Sequence, residues 1–284
     1  KTVEILELPN SAGNHSSPFL TENTEYVVAG TRFAVPMDDA NGDVPIDSFK
    51  ENFKGVLSFI GIDQQTGGMD LSFQIEAPGI NFDLSHAGKK KSGDWFFFSC
   101  YNSEKANTLL EVNASQNDKD FIMAVNWKKA AELVKAGKGR KVTTEYAHNT
   151  WDESTHSATS TMKKEVVVLS VEDMKDAMFM IPCPKSPHGC DVDPTGEYII
   201  GSGKLAALIP VFSFDKMIKA IADKNFAGEY DGVQVIKYEA ALHGEVQKPG
   251  LGPLHTEFDG KGNAYTSMFV SSEVVKWNIK DLKV

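Results

Sequence analysis

Two stretches of this chain repeat one pattern. His188-Gly-Cys-Asp-Val-Asp-Pro-Thr-Gly-Glu-Tyr198 and His255-Thr-Glu-Phe-Asp-Gly-Lys-Gly-Asn-Ala-Tyr265 each run from a histidine through an Asp/Gly turn to a tyrosine ten residues on, and a strand-like segment follows. A looser copy begins at His15 and reaches Tyr26 after eleven residues. Strand, tight turn and strand, repeated, is the signature of propeller blades. Because blades are arranged radially, the start of every innermost strand lies near one end of a central channel. Histidines at that position therefore converge although they are far apart in the chain. Imidazole binds copper, zinc and iron as the neutral ring. Taken singly, each histidine is more simply a hydrogen-bonded or solvent-facing ring; three at matched positions favour a shared ligand.

The remaining sequence fits an antiparallel all-β architecture. A dozen short segments rich in β-branched and aromatic residues, each ended by Gly, Asp or Asn, read as strands: 25–35, 55–63, 69–77, 94–101, 120–126, 165–170, 177–183, 197–201, 209–215, 232–241, 263–270 and 273–279. Asp63-Gln-Gln-Thr-Gly-Gly68 reads as a hairpin loop between two of them. Two helical patterns interrupt the strands, Trp127 to Ala136 stopped by Gly137, and Asp215 to Asp223 with Asp215 as its cap. Gly137 to Lys164 is polar and reads as a long surface loop. The 39 acidic residues against 29 basic ones give a net charge of -10, with the lysines scattered, which argues against nucleic-acid binding. No apolar run reaches the roughly 18 residues a membrane span needs. Three cysteines, Cys100, Cys183 and Cys190, are too few for a disulfide scaffold and leave the redox compartment open.

Several motifs add a family resemblance. Pro184-Lys-Ser-Pro-His188-Gly189, Asp193-Pro-Thr-Gly-Glu-Tyr198 and Gly203-Lys-Leu205 resemble the corresponding stretch of nitrous-oxide reductase. Gly250-Leu-Gly-Pro-Leu-His255-Thr, Phe258-Asp-Gly-Lys-Gly-Asn-Ala-Tyr265 and Val275-Lys-Trp-Asn-Ile279 are closer still. Glu7-Leu-Pro-Asn10, leading to His15, and Cys100-Tyr-Asn-Ser-Glu104 fall in the family's order.

The resemblance implies a periplasmic enzyme that reduces nitrous oxide to dinitrogen and water in denitrification. It implies a seven-bladed β-propeller with short helical insertions, holding a tetranuclear copper–sulfide cluster on seven histidines. His188 and His255 match cluster ligands, as does His15. A cupredoxin domain with a dinuclear copper centre, a cytochrome or cupredoxin as electron donor and a homodimeric full-length protein are further implications. Calcium is expected on Tyr101, Glu104 and Asp120, with Ser186 standing where the family has an asparagine. The family's adjacent His-His pair, its last two cluster histidines and the cysteines of the dinuclear centre have no counterparts here, so residues 1–284 read as the central blades, without upstream blades, downstream blades or cupredoxin domain. Cys183 and Cys190 bracket His188 at a spacing wide for zinc; a disulfide, which a periplasmic setting permits, or two free thiols is the simpler reading.

The competing class is a propeller used as a non-catalytic binding scaffold with structural histidines. If the chain is an open array of blades, its terminal sheets expose strand edges that natural proteins seldom leave bare. The isolated 284-residue polypeptide should therefore associate, bind copper weakly at most and fail to reduce nitrous oxide. A monodisperse monomer in light scattering that turns over nitrous oxide with an artificial donor overturns that expectation.

Overall fold

The computed structural model describes residues 4–11, 13–16, 18–36, 52–101, 120–149, 151–152, 154, 157–158 and 161–284. Their strands form four principal sheets. The first contains, from its inner edge, Tyr26–Gly30, Phe53–Ile62, Met69–Ala77, Thr161–Leu169, Arg140–Asn149 and Ile5–Leu6, with Val35–Pro36 beside Phe53–Ile62. The second runs Asn81–Ala87, Trp95–Tyr101, Phe121–Asn126, Met178–Pro182, Val233–Ile236 and Phe226–Tyr230. The third comprises Pro187–Val192, Tyr198–Gly203, Leu208–Ser213 and Leu242–Gln247, and the fourth Pro253–Phe258, Asn263–Met268 and Glu273–Asn278.

Strand periodicity shows how these sheets stack. Successive side chains of a strand point to opposite faces. Along Trp95–Tyr101, Phe96 and Phe98 join a core with Phe59, Phe73 and Val28 of the first sheet. Trp95 and Phe97 join a second core with Ile199 and Phe212 of the third sheet. Ile200 and Val211 then face a third core containing Ala264 and Trp277 of the fourth. Each inner sheet is thus buried on both faces, which accounts for unbroken apolar runs such as Trp95-Phe-Phe-Phe98. Meandering sheets packed face to face in chain order form part of a β-propeller, as the histidine repeat led us to expect.

Short helices connect the strands. Helix α1, Trp127–Lys135, is capped by Asn126, whose side chain accepts the Lys129 amide. In α2, Phe214–Ala222, the cap is Ser213, which accepts the Lys216 amide; Asp215, expected to be the cap, lies in the first turn. The expected hairpin loop at Asp63 is present, with Asp63 Oδ1 accepting the Gln65 and Thr66 amides. The expected strand over 232–241 divides into Val233–Ile236 and a one-turn helix α3, Tyr238–Ala241.

One expectation is corrected outright. The segment Gly137 to Lys164, read as a surface loop, contributes Arg140–Asn149 and the start of Thr161–Leu169, which pair antiparallel. Along its first strand Lys141, Thr143 and Glu145 alternate with Val142 and Tyr146, so one face is solvated while Tyr146 is buried with Val166 of the returning strand and Leu71. The returning strand then pairs parallel with Met69–Ala77. A second insertion does the same, placing Val233–Ile236 parallel to Met178–Pro182.

Phe59 and Phe73 stack with ring centroids 4.6 Å apart in the first core. Phe59→Ala should lower unfolding free energy by about 3–5 kcal/mol, whereas Phe269→Ala, at a side chain 65% exposed, should change it by less than about 0.5 kcal/mol. Denaturant midpoints of the two variants check the contrast.

Candidate metal centre

His15, His188 and His255 converge on one end of the inner strands. The His15 and His188 ring centroids are 6.4 Å apart and those of His188 and His255 are 5.1 Å apart. Between the first two lies Asp83, whose side chain is only 2% exposed. His15 Nδ1 is 2.7 Å from Asp83 Oδ1, and His188 Nδ1 is 2.8 Å from Asp83 Oδ2. Lys204 Nζ lies 3.2 Å from the same Oδ2. Burial opposes the charge on this carboxyl, but His188, Lys204 and Arg32 outweigh it and hold its pKa down to about 2. His255 has its own carboxylate, Asp191, with Nδ1 and Oδ1 at an ion-pair distance of 3.8 Å. Asp191 raises the His255 pKa against the opposing effect of burial.

This arrangement has a clear chemical sense. A carboxylate at Nδ1 fixes the ring's orientation and leaves Nε2 as the electron-pair donor, the usual outer-shell pattern behind metal-ligating histidines. A cavity of about 310 Å³ lies against His15, His188, Asp83, Tyr101, Leu254 and Phe269. Among the described residues no three His, Cys, Asp or Glu side chains close around a single ion. The imidazoles are spaced instead along the ends of neighbouring strands.

Backbone irregularities place these groups. The register of Asn81–Ala87 against its neighbour shifts between Phe82 and Ser85, across Asp83. The Pro187–Val192 strand shifts between Pro187 and Gly189, at His188, and the Pro253–Phe258 strand between Pro253 and Thr256, at His255. Bulges of this kind re-aim side chains. Ser99 ties two of them together: its hydroxyl accepts the Leu84 amide at 3.0 Å and donates to the His188 carbonyl at 2.6 Å. Gly189 lets the third approach, since a Cβ there would sit 2.1 Å from the Leu254 carbonyl oxygen. Asp191 Oδ2 then accepts the Thr256 amide at 2.6 Å and fixes the strand bearing His255.

Of the residues expected to bind calcium, Tyr101 and Asp120 stand at the ends of neighbouring strands, next to the Cys100–Phe121 pair. Ser186 N donates to Asp120 Oδ2 at 2.7 Å, so these two are in contact. Tyr101 also joins the histidine group: its hydroxyl accepts from Arg32, and Lys204 Nζ lies 3.6 Å from its ring centroid. Glu104 lies outside the described residues.

Fold and site together define a partial β-propeller with a histidine cluster at the mouth of its inner strands. Its relatives make the family specific. The chain is 33% identical to nitrous-oxide reductase of Pseudomonas fluorescens over 285 residues, and 31% identical to that of Stutzerimonas stutzeri over 284 residues. Each match takes in 99% of this chain and 38% of the relative, so the chain spans well under half the length of the curated relatives it matches. Over that segment the chain is a relative of the nitrous-oxide reductases. No family model matches it. Among solved structures it is similar to a periplasmic gluconolactonase of Pseudomonas aeruginosa, with a TM-score of 0.45 and 11% identity, covering 96% of this chain and 54% of that one.

Two further histidines whose side chains are described have other contacts. His86 stacks on Phe19, its Nδ1 2.7 Å from the Ala87 carbonyl oxygen, and His243 packs on the Tyr198 ring. His148 falls on the Arg140–Asn149 strand, and His156 lies outside the described residues. Cys100, Cys183 and Cys190 are free, buried thiols, so Cys183 and Cys190 form no disulfide. Burial pushes all three thiols up. Because the thiolate is the reacting form, native protein should resist iodoacetamide at pH 8 and become alkylated at three sites once unfolded. Mass spectrometry showing rapid native labelling of any of them would contradict this burial.

Proposed function

We propose that His15, His188 and His255 are ligands of the tetranuclear copper–sulfide cluster of a periplasmic nitrous-oxide reductase, with other ligands coming from outside these 284 residues. The observation that supports this most is the sharing of Asp83 between two imidazoles at Nδ1, which leaves the Nε2 atom of each ring to face a metal. The donor chemistry fits copper, a good partner for imidazole. The spacing of the rings suits a group of several metals better than one ion. When bound, the cluster would supply two electrons to nitrous oxide, which with two protons becomes dinitrogen and water.

The chain's own residues prepare that chemistry. Asp83 and Asp191 orient the rings, and Ser99 and Gly189 set the strand positions from which they project. Leu254 and Phe269 supply part of the cavity's apolar lining. Electrons would arrive from a cytochrome or cupredoxin through the dinuclear copper centre of a cupredoxin domain in a homodimeric full-length enzyme. Calcium binding at Asp120, Ser186, Tyr101 and Glu104 belongs to the same reading.

In the full-length protein, His188→Ala or His255→Ala should remove cluster copper and activity together, while His148→Ala leaves both intact. Elemental analysis of anaerobically purified variants, paired with nitrous-oxide consumption, is the test. Full copper in either of the first two variants would reject the ligand assignment and favour a binding scaffold with structural histidines.

A further inference from the structure

Lys204 occupies an unusual position for a lysine. Its side chain is 16% exposed, and its ammonium lies between the Tyr101 ring, 3.6 Å away, and the buried Asp83 carboxylate, 3.2 Å away. Its backbone is tied to the segment that leads into His188. The Lys204 amide donates to the Ser186 carbonyl and the Leu205 amide to the Lys185 carbonyl. Gly203 makes this approach possible, because a Cβ there would lie 1.8 Å from the Pro184 carbonyl oxygen. Lys185 and Ser186 both have positive φ, 34° and 55°, in the turn that brings the two strands together. One turn therefore sets both His188 and the lysine that faces its carboxylate.

We propose that Lys204 is a positioning residue for the histidine cluster. It clamps Asp83 at Oδ2, the oxygen that also meets His188, and braces that clamp on the face of Tyr101, so that His15 and His188 keep their orientation before any metal arrives. The inference rests on the copper reading only for what the rings bind; the clamp itself is a matter of geometry. A buried carboxylate shared by two rings has freedom to turn toward either one. An ammonium held by a cation–π contact and a charge-assisted hydrogen bond removes that freedom. Methionine retains the length and apolar stem but neither contact, whereas arginine retains the charge.

The test uses the full-length protein carrying Lys204→Met or Lys204→Arg, with His188→Ala as reference. Copper release to a copper(I) chelator is followed under reducing, anaerobic conditions, and thermal midpoints are recorded alongside. Lys204→Met should release copper about tenfold faster or more, the scale of outer-shell losses at metal sites; Lys204→Arg should restore most of the retention. Wild-type release from Lys204→Met overturns the proposal. Should its thermal midpoint fall, Asp83→Asn and the double variant decide: a residue acting through Asp83 adds nothing to Asp83→Asn, and additive losses overturn it. Full copper retention by His188→Ala rejects the copper reading itself. In that event, nitrogen NMR of the copper-free protein takes over, with altered His15 and His188 ring signals in Lys204→Met supporting the clamp and unchanged ones overturning it.

Discussion

The shared Asp83 carboxylate is the interaction on which the site depends. A buried charge is costly unless it is paired and hydrogen-bonded, and here His15, His188 and Lys204 surround it. Each partner comes from a different part of the chain: His15 lies between Ile5–Leu6 and Tyr26–Gly30 of the first sheet, Asp83 is in the opening strand of the second, and His188 and Lys204 lie in and just after strands of the third. The carboxylate therefore joins separate sheets at their inner ends. The apolar cores between sheets set the spacing, and Asp83 turns that spacing into a defined relation between two imidazoles. His255 and Asp191 form a looser version of the same pairing one sheet further on.

The bulges explain how regular sheets produce an irregular site. Asp83, His188 and His255 all lie where the register of an innermost strand shifts. The second sheet thus uses a carboxylate where the next two use imidazoles. Propeller-like repetition supplies equivalent positions, and the residue type at each decides whether it provides a metal donor or orients its neighbour.

Much of this was legible in the residues. His188 and His255 share a turn and a tyrosine at equal spacing, and the structure brings their rings together. His15, in the looser copy, also joins them. Asp83 was not visible in advance because Asn81-Phe-Asp-Leu-Ser85 alternates like a half-exposed strand, which would put Asp83 on a solvated face, whereas the structure buries both faces. The one available signal was a lone aspartate between Phe82 and Leu84, both of which are buried. The contacts of Tyr101 with Arg32 and Lys204 left no signal in the sequence, since the three are far apart along the chain. The hairpin over 140–169 escaped notice for a different reason: what makes it a strand pair within a sheet is a parallel contact with Met69–Ala77, remote in sequence.

That parallel contact has a consequence for how the chain is made. Residues Phe73, Gln74 and Ile75 pair with Val167, Val168 and Leu169, so the first sheet cannot close until the polypeptide has been synthesised well into the insertion of the second. The second waits in the same way on Gln234 and Val235, which pair with Phe179 and Met180. Non-local pairing of this kind slows folding, because loop closure is paid before contacts reward it. A nascent chain emerging from the ribosome would hold each sheet open at its outer edge until its successor arrived, passing an exposed strand forward along the molecule, and would fold as a sequence of overlapping steps instead of as independent blades.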